Sequence, residues 1–114
     1  MSDCLFCAIV DGKIKANLVY QDDAVLAFKD VAPKAPVHIL IIPRKHIVSV
    51  LDIDAGDGAV IGQIFQVAGR LAREQGIAES GFRVVANSGA DAGQSVFHLH
   101  YHLLGGRQMS WPPG

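Results

Sequence analysis

The sequence Phe97-His98-Leu99-His100-Tyr101-His102-Leu103-Leu104 alternates apolar or aromatic residues with histidines at a period of two. Because successive side chains of a β-strand point to opposite faces, this alternation predicts a strand, which we place at residues 96–104. One face would carry His98, His100 and His102. The other would face the core with Phe97, Leu99, Tyr101 and Leu103. The sequence therefore predicts three imidazole rings on one side of a rigid element.

The spacing of these rings bears on their chemistry. Same-face neighbours lie about 6.6–6.8 Å apart along a strand, whereas zinc binds nitrogens at about 2.0–2.1 Å. Three histidines on one strand can therefore hardly converge on one ion. Packing alone is also disfavoured, because each neutral ring needs a donor and an acceptor partner. Imidazole titrates near pH 6.5, so each ring can serve as nucleophile, base or acid along a bound substrate.

The loop before this strand favours an anionic substrate. Residues 87–95 read Asn-Ser-Gly-Ala-Asp-Ala-Gly-Gln-Ser, which provides glycines for close backbone approach together with amide and hydroxyl donors. Taken alone, the segment resembles an ordinary polar hairpin loop. Beside the histidines, its backbone N–H groups are expected to hold a phosphate.

Outward from the histidines, the pattern predicts one small α+β domain. Strands are predicted at residues 18–22, 25–30, 37–43 and 82–86, besides the histidine strand. Apolar residues recur at a 3.6-residue spacing over 54–75, which predicts a long helix that ends before Gly76. A short capped helix is predicted from Ser2 or Asp3 to Gly12. We therefore expect a single domain over residues 1–114, with a five-stranded antiparallel sheet, one long helix and one short helix.

The composition argues against several classes of protein. The 114 residues contain 10 Lys and Arg against 11 Asp and Glu, which disfavours a nucleic acid partner. No apolar run approaches the roughly 20 residues of a membrane-spanning helix. The first residues also lack the basic region and apolar stretch of a signal peptide. Two cysteines are too few for a disulfide framework, so we expect a cytoplasmic protein with reduced thiols and no membrane association.

Several stretches of the sequence resemble a known protein family. The pattern His-apolar-His-apolar-His-apolar-apolar at 98–104 is that of the histidine triad (HIT) superfamily. The ending Arg-Gln-Met-Ser-Trp-Pro-Pro-Gly at 107–114 resembles the HINT branch of nucleotide-binding purine nucleoside phosphoramidases. The similarity continues at residues 5–7, 26–30, 35–38, 42–46 and 93–96, and thus covers nearly the whole chain.

This resemblance implies an activity and an assembly. The reaction would be hydrolysis of adenosine or guanosine 5′-phosphoramidates to a nucleoside monophosphate, such as AMP or GMP, and an amine, with no cofactor required. His100 would be the nucleophile that forms a nucleotidyl-histidine intermediate, and His102 would contact the phosphate and the leaving group. The protein would be a homodimer whose sheets join across the two-fold axis, with Trp111 reaching toward the partner subunit's site.

The resemblance also assigns the residues around the nucleophile. His98 with His38 would form a hydrogen-bonded pair that supports it, and Ser95 would be a donor near the leaving amine. Asp30 would grip both ribose hydroxyls, in keeping with the two hydrogen bonds that a carboxylate can accept. The phosphate side of the nucleotide site would consist of Asn87, Gly93, Gln94, Ser95 and Val96. The apolar base pocket would consist of Leu5, Phe6, Ile9, Phe28 and Val31.

Cys4 and Cys7 raise the hypothesis of a structural zinc site. Helix residues three apart lie on one face, and a Cys-x-x-Cys pair with two further ligands is typical of structural zinc. Some histidine triad proteins complete such a set in a way that here implies His46 and His98. The alternative is a pair of small buried thiols. If zinc takes His98, that residue cannot also pair freely with His38.

Two other functions stay open at this stage. One is a nucleotide-binding adaptor with vestigial catalysis, against which the intact His100 and Ser95 argue. The other is a dinucleoside polyphosphate hydrolase of the same superfamily, against which the short chain and the Trp-Pro-Pro-Gly ending argue.

Overall fold

The structure, a computed structural model that describes residues 4–114, is built on one antiparallel sheet. Its strands are β1 (Leu18–Gln21), β2 (Val25–Lys29), β3 (Val37–Pro43), β4 (Phe82–Val85) and β5 (Tyr101–Gly105). They lie in the spatial order β1-β2-β3-β5-β4, and each neighbouring pair is antiparallel. Two helices, α1 (Leu5–Val10) and α2 (Gly58–Glu74), complete the α+β fold. The predicted fold class is confirmed.

The sheet is covered on both faces, by one helix each. The larger core lies under α2 and includes Val25, Ala27, Ile39, Ile41, Leu99, Tyr101 and Leu103. The smaller core lies under α1 and is formed by Phe6, Leu26, Phe28, Leu40 and Ile42. Strand β3 is buried between the two cores, which explains why its sequence is apolar without alternation.

The histidine strand is shorter than predicted. It begins only at Tyr101, and residues 96–100 have irregular backbone. The β3–β5 register, if continued, would place Leu99 opposite Pro43, which has no N–H to donate. The Pro43 carbonyl is also taken, because it accepts a hydrogen bond from Nε2 of His98 at 2.8 Å. A proline and a histidine ring therefore end the ladder.

The alternation of the segment survives this change in backbone. Leu99, Tyr101 and Leu103 are buried under α2, as predicted. Phe97 was predicted to lie in the core as well, and this is wrong: 57% of its surface is exposed. Leu99 is fixed by its N–H, which donates to the Ile47 carbonyl, whereas residue 97 lies further out in the irregular segment, where period-two alternation is not imposed.

Both helices begin later than predicted. Ser2 and Asp3 lie outside the described residues, and α1 begins after Cys4, whose Sγ accepts the Cys7 N–H. The long helix was expected from residue 54. Instead, Asp54 and Asp57 form a capping box around a 3₁₀ turn (Ala55–Asp57), and α2 follows. Within residues 4–114, neither helix is long and apolar enough to cross a membrane.

Leu71 tests the contribution of α2 to stability. Its side chain is fully buried in the larger core. We expect Leu71→Ala to lower the free energy of unfolding by about 3 kcal/mol, because the change leaves a cavity that the core closes only partly. Urea unfolding measures this loss. The control is Arg70→Ala, which removes an exposed ion pair with Glu74 and should cost under about 1 kcal/mol; equal losses in the two variants would contradict the expectation.

Candidate active site

The three histidines of the 98–104 segment lie on the α1 side of the sheet, but they face two different places. His100 and His102 are adjacent, with ring centroids 5.0 Å apart, and both line a cavity. His98 is fully buried, and its ring meets a cysteine-containing cluster instead. The predicted row of equivalent rings is therefore divided into a pair and a single ring.

His100 has its tautomer fixed by a backbone carbonyl. Its Nδ1 lies 2.8 Å from the carbonyl oxygen of His98, which can only accept, so Nδ1 carries the proton. In the neutral ring, Nε2 then keeps its lone pair. Phe6 meets the ring edge to face, 5.1 Å between centroids, and restrains its orientation. His100 therefore carries an unprotonated ring nitrogen, as a nucleophile must.

His102 has the opposite tautomer, set by a chain of hydrogen bonds. The Lys34 N–H donates to Nδ1 of His38 at 3.0 Å, so the neutral His38 ring carries its proton on Nε2. That nitrogen lies 2.8 Å from Nδ1 of His102 and donates to it. The proton of His102 is therefore on Nε2. Among the side chains of residues 4–114, this Nε2 is the one fully buried nitrogen or oxygen with no hydrogen-bond partner.

This chain of bonds corrects one expectation. His38 was expected to pair with His98, but it pairs with His102. His98 supports His100 through its backbone carbonyl, which accepts the Nδ1–H of His100. The ring of His98 does not contribute to this support. The unpartnered N–H of His102, on a residue that lines the cavity, is a donor available to a bound ligand.

Burial favours the neutral rings of His102 and His38 by lowering the pKa of each. Desolvation, together with the charges of His100 and His38, lowers the pKa of His102 to about 4. Desolvation also lowers the pKa of His38, although the carboxylate of Asp30 opposes the shift. At neutral pH the tautomers derived above for His38 and His102 are therefore the relevant ones.

We expect acid to destabilise the protein between about pH 6.5 and about pH 4. In that range an unfolded histidine, with a pKa near 6.5, is protonated, while His102 in the folded chain is neutral. The unfolded state then binds more protons, so the free energy of unfolding falls as the pH falls. At the acid end of this range, His102 accounts for on the order of 3 kcal/mol of the loss in the free energy of unfolding. Urea unfolding at several pH values across this range measures the loss. His102→Gln should make the free energy of unfolding depend less on pH, and an unchanged dependence would contradict the role given to His102.

The cavity beside His100 and His102 has a volume of about 590 Å³, within the ordinary range for small-molecule sites. The predicted site residues that line it are Leu5, Phe6, Ile9, Phe28, Asp30, Val31, Ser95, Val96, His100 and His102. Sequence reasoning missed Ile14, Lys15, Ala16, Asn17 and Leu40. The strand register could have found Leu40, which lies opposite both Phe28 and His102. Residues 14–17 carry no motif that would have indicated them.

Asp30 lines this cavity beside His38 and has acceptor capacity to spare. One oxygen accepts the Ala32 N–H at 2.8 Å, and the other lies 3.4 Å from Nε2 of His38. An ionised carboxylate has about four acceptor positions, so it can bind a further donor pair. A metal ion is not favoured here, because Nε2 of His38 and Nδ1 of His102 share a hydrogen bond at 2.8 Å.

Three predicted phosphate contacts do not line the cavity: Asn87, Gly93 and Gln94. The side chain of Gln94 is buried, and both its amide nitrogen and its oxygen form hydrogen bonds within the protein. Its amide donates to the carbonyls of Val48 and Val96, and its oxygen accepts the Gly89 N–H. Gln94 therefore holds the loop in shape, and Ser95 and Val96 are the loop residues that reach the cavity.

The ring of His98 belongs to a cluster with Cys4, Cys7 and His46, whose ligand atoms all lie within 4.8 Å of one another. Nδ1 of His98 is 3.4 Å from Sγ of Cys4 and 3.3 Å from Nδ1 of His46. Sγ of Cys7 is 3.2 Å from Nδ1 of His46. Tetrahedral zinc separates two nitrogens by about 3.3 Å and a sulfur from a nitrogen by about 3.6 Å. The four residues thus fit the zinc geometry.

The surroundings of the cluster agree with that geometry. The His98 Nε2–H donates to the Pro43 carbonyl, so the Nδ1 lone pair faces the cluster, as in metal-binding histidines. Burial, with the hydrogen bond and charge of Cys4, raises the pKa of the Cys7 thiol to about 11. A cation would reverse this preference and favour the thiolate. Because His38 pairs with His102, the expected competition for His98 does not arise.

Trp111 lines neither the cavity nor the cysteine cluster. Its side chain is 80% exposed and is in the C-terminal tail. Val31 lines the mouth of the cavity and is fully exposed. The contact of Trp111 with a partner subunit stays a prediction.

Comparisons with known proteins agree with this architecture. The model of the family described as HIT domain matches residues 11–109. An uncharacterized HIT-like protein of Synechococcus elongatus is 47% identical over 112 residues, which covers 98% of this chain and 97% of the relative. A HIT family hydrolase from Legionella pneumophila is similar in structure, with a TM-score of 0.96, 48% identity, and coverage of 98% and 100%. A histidine triad nucleotide-binding protein from Candida albicans has a TM-score of 0.83, 29% identity, and coverage of 96% and 83%.

Proposed function

This chain belongs to the HIT domain family, and from that premise we propose that it hydrolyses purine nucleoside 5′-phosphoramidates. The pair formed by His100 and His102 carries the proposal. A ring with a free lone pair and a ring with an unpartnered N–H lie 5.0 Å apart on one cavity wall. A nucleophile beside a donor suits attack at phosphorus. The names of two relatives, a hydrolase and a nucleotide-binding protein, support the reaction class and the ligand class.

The lining of the cavity orients the nucleotide. Phe6 and Phe28 meet edge to face, with centroids 5.4 Å apart, and make an apolar end that suits a purine. Asp30 accepts hydrogen bonds from the two ribose hydroxyls. The phosphate then lies against His100 and His102, which line the same cavity.

In the first step, Nε2 of His100 attacks the α-phosphorus and forms a P–N bond. The P–N bond to the amine breaks, and the departing nitrogen keeps the electron pair and gains a proton from solvent, relayed by the Ser95 hydroxyl. The imidazolium that forms keeps its Nδ1–H on the His98 carbonyl, which stabilises the positive charge. The His102 Nε2–H donates to a phosphoryl oxygen throughout.

In the second step, water attacks the same phosphorus. The bond to Nε2 of His100 breaks, the electron pair returns to the ring, and the proton of the water passes to solvent. The products are the nucleoside monophosphate and the neutral His100. Most of the catalysis comes from positioning and from charge stabilisation, which the fixed tautomers provide without reorganisation.

A substrate panel tests this function. We expect release of AMP and amine from an adenosine 5′-phosphoramidate, with little turnover of diadenosine polyphosphates. Preferred turnover of the polyphosphates would favour the dinucleoside polyphosphate hydrolase. Binding of AMP without turnover of any substrate would favour the adaptor.

Asp30→Asn tests the ribose contact. We expect a roughly 10- to 100-fold loss of kcat/KM, because hydrogen bonds to a charged acceptor are worth about 1.5–3 kcal/mol. Steady-state kinetics with adenosine and 2′,3′-dideoxyadenosine phosphoramidates measure it. The wild type should lose a similar factor on the dideoxy substrate, and the variant should not distinguish the two. A variant that still prefers the ribose substrate would rule out this role.

We also propose that Cys4, Cys7, His46 and His98 hold a structural zinc ion. The supporting observations are the mutual distances of the four ligand atoms and the His98 Nε2–H bond to Pro43. When bound, zinc would cross-link α1 to the segments at residues 46 and 98 and would take no part in the reaction. Free thiols at both cysteines agree with the cytoplasmic location that we propose.

A homodimer with a continuous sheet completes the proposal. Strand β4 is an edge strand of this sheet, and an unpaired edge can add a strand of another chain. Phe82 on that strand and Phe65 on α2 are 41% and 51% exposed, which suits an interface. Trp111, also exposed, would then contact the partner subunit. Analytical ultracentrifugation of the wild type and Phe82→Glu tests this assembly, and a monomeric wild type would contradict it.

A further inference from the structure

A second cavity, of about 490 Å³, lies directly beside the first. Leu5, Ser95 and Val96 line both cavities, so these side chains form the boundary between the two. The second cavity is completed by Cys4, His46, Val48 and Phe97. Nothing in the reaction described above uses this space.

The lining of the second cavity is mainly apolar. Among residues 4–114, which the structure describes, no Asp, Glu, Lys or Arg lines it. Leu5, Val48 and Phe97 are 45%, 40% and 57% exposed, so the core leaves much of their apolar surface in solvent. The polar groups of Cys4 and His46 are engaged in their own cluster. Such a cavity favours aromatic or branched aliphatic groups over charged ones.

The position of the second cavity indicates which part of the substrate it would bind. If the proposed function holds, the nucleoside fills the first cavity and the phosphorus lies against His100. In a displacement at phosphorus, the leaving atom lies opposite the attacking nitrogen. Ser95, at the boundary, is the donor assigned to that leaving nitrogen. We propose that the second cavity is the leaving-group subsite, and that it selects amines which carry an uncharged aromatic or branched aliphatic group.

The test compares AMP phosphoramidates of benzylamine and 2-methoxyethylamine, two amines of similar basicity, so that intrinsic reactivity does not decide the result. We expect the wild type to favour the benzyl substrate by roughly 10- to 100-fold in kcat/KM, from burial of the ring. Val48→Asp, which places a carboxylate in the cavity, should remove most of this preference while turnover of the methoxyethyl substrate changes little. Phe97→Ala should reduce the preference in the same way.

Val50→Asp is the matched control. Val50 is 42% exposed, close to the value for Val48, but it does not line the cavity, so its variant should keep the benzyl preference. Equal rates for the two substrates in the wild type, or equal effects of the two Asp variants, would overturn the subsite and leave the phosphoramidase function intact. Failure of the wild type to hydrolyse either substrate would overturn the function and the subsite together.

Discussion

Replacing His100 with alanine is expected to lower kcat/KM for an adenosine phosphoramidate by at least about 10³-fold while AMP still binds. The variant loses Nε2 of His100, the only ring nitrogen of the site whose lone pair is free to attack the phosphorus. Nε2 of His102 is protonated, and Nδ1 of His98 faces the cysteine cluster, so neither ring can replace it. The pocket for base and ribose is built by other residues and should keep its affinity. Kinetics with a fluorogenic substrate and AMP titration measure the two quantities.

Trapping the intermediate separates this mechanism from direct attack by water. Wild-type protein mixed with substrate and quenched in denaturant should show a nucleotide adduct by mass spectrometry, and peptide mapping should place it on His100. His102→Gln is the matched control, because it removes the phosphoryl donor but leaves the nucleophile, and should still form the adduct. Turnover of His100→Ala at the wild-type rate would show that His100 is not the nucleophile.

The sequence predicted the sheet well because apolar periodicity records which faces are buried. Residues 37–43 were predicted as a strand, and β3 has these bounds. The end of the ladder near Pro43 was missed, because it depends on which residue of β3 lies opposite Leu99. That register is a property of two strands together, and a pattern within one strand does not contain it.

The candidate site was predicted in its residue types and less well in its contacts. Alternation identified His100 and His102, but it gave all three rings the same role. The pairing of His38 with His102 follows from their adjacent positions on β3 and β5, and the tautomers follow from single backbone groups at Lys34 and His98. The pairing joins residues 64 apart in sequence, and the tautomers depend on local backbone geometry that the alternation does not specify. Lys15 and Asn17 were missed for the same reason, since a loop brings them to the cavity.

His98 links the two groups of residues. Its carbonyl sets the tautomer of His100, while its ring joins Cys4, Cys7 and His46. The peptide unit that carries this carbonyl is held by the Leu99 N–H, which donates to the Ile47 carbonyl at 2.6 Å, and by the contacts of the His98 ring on the same segment. Loss of the cluster should therefore lower the free energy of unfolding, and a lower turnover should follow from that loss.

Cys7→Ala is expected to abolish zinc binding and to lower the free energy of unfolding by roughly 4 kcal/mol, the stabilisation that a ligand provides at a thousandfold excess over its Kd. The reason is that zinc binds the folded cluster and cross-links segments that are far apart in sequence. Elemental analysis should find about one zinc per wild-type chain and none in the variant, and urea unfolding with zinc or with a chelator measures the energy. His38→Gln is the matched control, because His38 lies outside the cluster; it should lose activity but keep its zinc. A wild type without zinc, whose unfolding the chelator leaves unchanged, would instead mean that Cys4 and Cys7 are two buried thiols.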